Sequence, residues 1–131
     1  MLTGSCHCGQ VRWTLETRPT SVTACNCTIC RRYGALWAYG YVGQDIQTEG
    51  ETRTYQRSDS GDIRFHFCPE CGCVTHYVAC IADENGRNRT AVNVRMSDMG
   101  AISELPIRRF DGRDSFSALS SDGRSVKDMW F

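Results

Sequence analysis

Cys6-His7-Cys8, Cys25-Asn26-Cys27-Thr28-Ile29-Cys30 and Cys68-Pro69-Glu70-Cys71-Gly72 hold seven of the chain's nine cysteines. The first and last clusters are pairs, and the middle one is a triplet. A structural zinc takes four protein ligands, whereas a zinc that keeps an open position takes three. Two pairs and one triplet therefore fit one closed site and one open site. Disulfides fit poorly: the cysteine number is odd, no export signal precedes the clusters, and C-x-C thiols are badly placed to pair with each other. Metal and a reducing, cytoplasmic setting are the expectation.

The C-x-x-C-G run at Cys68–Gly72 reads as a zinc knuckle, in which glycine supplies the bend that turns two thiolates toward one point. A redox C-x-x-C would want a βαβ context, and none is visible. Cys6 and Cys8 fit best as the second pair for Cys68 and Cys71. One zinc would then pin the N-terminal strand to the middle of the fold. The triplet is the sharper signal, because three thiols within six residues can face one ion. It closes as a second structural site if Cys73, Cys80, His66 or His76 supplies a fourth ligand. Otherwise the fourth position is left to water or to a substrate thiol.

Around these clusters the sequence reads as all-β, a single domain over residues 1–131 with a core of about 4–116 and a loose polar tail at 117–131. The 131 residues are enough for one domain with a real core. Alternation predicts strands at Gly9–Glu16, Leu36–Val42, Arg53–Arg57, Ile63–Phe67, Val74–Ala79 and Thr90–Val94. A polar loop at 83–88 separates the last two. Leu105–Phe110 reads as a late edge strand, with Pro106 consistent with an edge. Single helical turns are expected at Thr28–Tyr33 and Ser97–Met99. Met129, Trp130 and Phe131 are expected to tuck the tail back onto the domain.

Fifteen basic and fifteen acidic side chains balance. Seven thiolates on two dications would bring the formal sum to −3. Neither value suits a nucleic-acid or anionic-membrane binder, which shows a basic face. The N-terminus has neither the basic start nor the apolar run of a signal peptide, and no apolar run is long enough to span a membrane.

Gly4-Ser5-Cys6-His7-Cys8-Gly9, Cys25–Arg32 and Phe67–Gly72 together resemble the glutathione-dependent formaldehyde-activating enzyme family, which also includes centromere protein V. The resemblance runs from Gly4 to about Phe116. It implies folded antiparallel sheets of the Mss4-like, β-tent kind organised around zinc, with at most short helical turns. It implies a structural Zn²⁺ on Cys6, Cys8, Cys68 and Cys71, and a more labile, catalytic Zn²⁺ on Cys25, Cys27 and Cys30. It further implies a carbon–sulfur lyase or adduct-forming activity that joins glutathione, as co-substrate, to a small aldehyde such as formaldehyde, giving S-hydroxymethylglutathione. The partners are then a small-molecule thiol and an aldehyde. Cys73 departs from the family, which often has Thr or Ser there.

Arg31 and Arg32 follow the triplet and are either the anchors for glutathione's carboxylates, since a guanidinium grips a carboxylate with two parallel bonds, or two solvated arginines on a short turn. Trp37, Tyr39 and Tyr41 line one side of their strand and form either pocket wall or core. Asn93 and Arg95 end a strand and read as structural, with reach to the site as the alternative. Arg108, Arg109, Asp111 and Arg113 read as a surface ion-pair cluster. The rival readings are a non-catalytic zinc module that binds glutathione adducts or a protein partner, and a purely structural two-zinc scaffold.

Overall fold

Alternation along short strands sorts the chain into two sheets in a computed structural model that describes residues 1–129. β1 (Leu2–Ser5), β2 (Arg12–Leu15) and β5 (Ile46–Glu49) form a three-stranded antiparallel sheet in the order β1-β2-β5. Its inward side chains Leu2, Trp13, Leu15 and Ile46 are all buried. The second sheet has eight strands: β3 (Val22–Cys25), β4 (Trp37–Tyr41), β6 (Arg53–Gln56), β7 (Ile63–Phe67), β8 (Val74–Ala79), β9 (Arg89–Asn93), β10 (Ile107–Asp111) and β11 (Ser117–Ala118). Their order is β11-β10-β3-β4-β9-β8-β7-β6. The all-β class holds, and the helices are single turns, α1 (Cys30–Tyr33) and α2 (Met99–Ile102). No helix among the described residues is long and apolar enough to cross a membrane.

The two faces of the large sheet do different work. Leu36, Ala38, Val92 and Val94 pack with Leu2, Trp13, Leu15 and Ile46 in one core cluster, which therefore joins the two sheets. Trp37, between Leu36 and Ala38, points the other way because successive side chains alternate. It packs with Cys27, Cys30, Phe65 and Ala91 in a second cluster. On that outer face one row runs in register, with Tyr55 opposite Phe65, Phe65 opposite Tyr77, Tyr77 opposite Ala91 and Ala91 opposite Tyr39. The equivalent inner row is Ala38, Val92, His76, His66 and Thr54.

Three expectations need correction. The strand expected at Leu105–Phe110 is not an edge. It is β10, paired with β11 on one side and with β3 on the other, and the β3 pairing is parallel in an otherwise antiparallel sheet. Pro106 sits just before it, where a missing N–H costs no ladder bond. The tail is not loose. Val126 is fully buried in the first core cluster with Met129 against it, and the Val126 N–H donates to the Leu105 carbonyl. Burying that one valine contributes about 1.5 kcal/mol or more. Trp130 and Phe131 lie outside the described residues. Finally, the strand expected from Gly9 starts only at Arg12, because residues 7–11 form the turn that presents Cys6 and Cys8.

Candidate metal centres

Two groups of cysteine sulfurs converge, and within each the Sγ atoms lie within 4.8 Å of one another. None of the nine cysteines is in a disulfide. The first group is Cys6, Cys8, Cys68 and Cys71. Its Cys6–Cys8 and Cys8–Cys68 sulfur separations are both 3.6 Å. Four sulfurs around one zinc at 2.3 Å form a tetrahedron with edges of about 3.8 Å, so the spacing and the soft, four-thiol donor set fit that ion. The turn after β1 supplies two sulfurs and the β7–β8 turn the other two. The site therefore ties one sheet to the other. Gly72 adopts φ +76°, a left-handed conformation that closes the knuckle, and its N–H donates to the Cys68 carbonyl at 2.9 Å. The Val11 N–H donates to Cys6 Sγ at 3.2 Å. Backbone N–H groups of Cys73 and Cys8 draw the Cys71 thiol down to about 5, the direction that favours a thiolate ligand.

The second group is Cys25, Cys27 and Cys30, on the outer face. Cys25 ends β3, and Cys30 opens α1. No fourth Cys, His, Asp or Glu donor joins them among the described residues. Each sulfur accepts at least one N–H. The Cys27 N–H reaches Cys25 Sγ at 3.5 Å, and the Cys30 N–H reaches Cys27 Sγ at 3.4 Å. The indole Nε1–H of Trp37 reaches Cys30 Sγ at 3.4 Å. Cys25 is drawn down to about 5 by the Cys30 thiol and by the Cys27 and Gly112 N–H groups, while Cys30 is pushed strongly up by sharing that proton and by burial. A soft three-thiol donor set of this kind fits zinc with one position left over.

Trp37, Phe65, Tyr77 and Tyr33 wall the second group. Trp37 and Tyr77 meet edge to face at 5.0 Å, and Tyr33 and Phe65 at 5.4 Å. Tyr39, next on that face, is half exposed. A cavity of about 600 Å³ opens beside it, lined by Arg18, Thr20, Tyr39, Tyr41 and Arg89 among others. The Arg89 guanidinium lies 6.0 Å from the Tyr39 ring centre.

The arginines expected from sequence fall on the rim. Arg31 is exposed, and Arg32 is tied by its guanidinium to the Thr28 carbonyl at 2.7 Å and to the Thr28 hydroxyl. Arg57 was not legible as a site residue. Its guanidinium pairs with Asp59 at 2.6 Å, and that carboxylate raises its pKa further. Asn93 does not face a ligand. Its side chain accepts the Leu36 and Arg95 N–H groups and donates to the Val74 carbonyl, locking β4, β8 and β9 together. The supposed ion-pair cluster also dissolves. Arg109 pairs with Asp122 and Arg113 with Asp114, while Asp111 caps a turn.

Cys73 packs against the first group, not the second. Its thiol is pushed up, chiefly by burial. Cys73→Ser is therefore expected to bind two zinc equivalents with the affinities of the parent chain. A zinc titration showing tenfold weaker uptake of the second equivalent would contradict this placement.

His66 and His76 are removed from both groups. They stack at 4.3 Å between ring centres on the inner face. Thr52 and Thr75 hydroxyls contact their Nδ1 atoms at 2.8 and 2.9 Å. Burial, then the neighbouring His66, lowers His76 to about 3 from an ordinary 6.5. The unfolded chain therefore takes up a proton that the folded chain refuses, and stability falls as pH drops from 6.5 toward 3. Between pH 6.5 and 5 the loss from this residue is about 2 kcal/mol. Urea unfolding at both pH values should show His76→Gln losing less stability than the parent by that amount. Parallel pH profiles would contradict it.

A family model described as glutathione-dependent formaldehyde-activating enzyme matches residues 1–106. Among solved structures, the crystal structure of a Rhodobacter sphaeroides protein from a structural-genomics programme is similar, with a TM-score of 0.58 and 28% identity over 72% of this chain and 86% of that one. No curated protein matches.

Proposed function

The chain belongs to the glutathione-dependent formaldehyde-activating enzyme family, and from that membership we propose that the Cys25, Cys27 and Cys30 group is where a glutathione thiol and formaldehyde are joined. The observation that carries this reading is a three-thiol group with no fourth donor among the described residues, set beside an aromatic wall. A zinc ion held there would lower the pKa of a bound thiol and polarise a carbonyl oxygen. The first group would hold a second, structural zinc.

The chain's own residues supply the rest. Cys25, Cys27 and Cys30 leave one position for a substrate atom. Trp37, Phe65 and Tyr77 keep bulk water from that side, where charges then interact more strongly. The cavity beside Tyr39 has Arg18 and Arg89 in its lining as forks for a carboxylate, while Arg31 and Arg32, outside that lining, would hold a glutathione carboxylate from α1. The reaction forms one sulfur–carbon bond. The carbonyl π pair moves to oxygen, and the thiol proton ends on that oxygen, so nothing else is consumed. The product is S-hydroxymethylglutathione, and the reverse reaction is the corresponding carbon–sulfur lyase step.

The addition also proceeds without a catalyst, so the test is a rate. Exchange NMR on glutathione and formaldehyde at equilibrium should show faster interconversion with catalytic amounts of zinc-loaded protein. Unchanged exchange, with saturable broadening of the adduct's resonances, would replace the enzyme by a module that only binds the adduct.

A further inference from the structure

The strand that lies parallel to β3 brings a second segment to the three-thiol group. Cys25 pairs with Phe110 across this register. The chain then turns at Asp111 and passes directly over the cysteine, and this segment lies beyond the residues that match the family model. Gly112 sits so close that a Cβ there would be 2.5 Å from Cys25 Sγ and 3.1 Å from Cys27 Cβ. The Gly112 N–H helps to draw the Cys25 thiol below its ordinary value.

What holds this turn in place is one carboxylate. Asp111 accepts from the Arg113, Asp114 and Ser115 N–H groups at 3.3, 3.1 and 3.0 Å and from the Ser115 hydroxyl at 2.8 Å. It also accepts from Asn26 Nδ2 at 3.1 Å, and Asn26 Oδ1 takes the Arg113 N–H at 3.1 Å. Asn26 is the residue between Cys25 and Cys27. The carboxylate thus fastens the 112–115 turn to the cysteine loop itself.

We propose that Asp111 is a positioning residue for the three-thiol group: through Asn26 and the 112–115 turn it holds the Gly112 backbone against the Cys25 sulfur, and so sets how tightly the group keeps a cation. This rests on the reading of that group as a metal site. Three thiolates in one place repel one another, and N–H donors that spread their charge hold the sulfurs ready for an ion. Outer partners of this kind are worth 10- to 100-fold in metal affinity.

The test is cobalt(II) uptake by the full chain, read from the thiolate-to-cobalt charge-transfer band in competition with a chelator. The parent chain is expected to take two equivalents. Asp111→Ala and Gly112→Ala should bind the second at least tenfold more weakly and the first unchanged. The band of the second should shift, as the Cys25 sulfur loses its fixed backbone neighbour. Asp111→Asn keeps one acceptor oxygen and should fall between, and it serves if the alanine variant folds poorly. Asp122→Asn removes the same charge away from the group and should match the parent.

Second-site affinity and band position unchanged in the Asp111 and Gly112 variants, even with lower thermal stability, would overturn the proposal. So would an equal loss in Asp122→Asn. A parent chain that takes a single equivalent would overturn the metal reading and this inference together. No glutathione or aldehyde is present in these titrations, so the chemistry proposed above stands or falls separately.

Discussion

Cys68→Ser is expected to unfold the chain. Cys68 is fully buried, its Sγ belongs to the four-thiol group, and its backbone closes the knuckle with Gly72 and Cys73. A zinc ion on that group would bridge the two sheets, so losing one ligand would separate elements that share the first core cluster. Structural zinc contributes an apparent ~10 kcal/mol or more in small domains, comparable to the whole stability of a typical fold. Circular dichroism at 25 °C should show loss of sheet signal, and added zinc should not restore it. A variant that melts within about 5 °C of the parent would show that packing alone holds the sheets together.

Cys27→Ser is expected to spare the fold and abolish the chemistry. Cys27 lies on the outer face, where no second sheet depends on it. Serine keeps the volume but is a poor ligand for a soft-site cation. The second metal equivalent should be lost, and the acceleration of glutathione–formaldehyde exchange should drop at least 100-fold, toward the spontaneous rate. The melting temperature should fall by only a few degrees. Retained exchange would remove the three-thiol group from the reaction. A collapse of stability equal to that of Cys68→Ser would instead make the second group structural.

The division of the thiols into a group of four and a group of three was legible in the sequence, because it follows from their spacing. So was the hairpin of β7 and β8, whose alternation is strong and whose knuckle marks the turn. Other elements gave no local signal. β3 and β5 are four residues each, and β3 runs into the triplet, where the eye follows cysteines rather than alternation. The parallel partnership of β3 and β10 joins residues 85 apart, and nothing in either segment announces the other. Asp111 looked like one member of a charged surface run. Its role depends on backbone N–H groups that a sequence does not display.

The same long-range closure bears on how the chain is made. Cys8 and Cys68 are 60 residues apart. At the usual pace of a ribosome, about 5–20 residues per second, the first thiol pair waits roughly 3–12 s for its partners. Val126, which completes the core around Leu2, emerges later still. During translation the early cysteines are thus open to oxidants and to stray metal, with no finished sheet to shield them. If zinc fills the four-thiol group as proposed, low zinc supply should reduce the yield of folded protein more than it reduces the rate of synthesis.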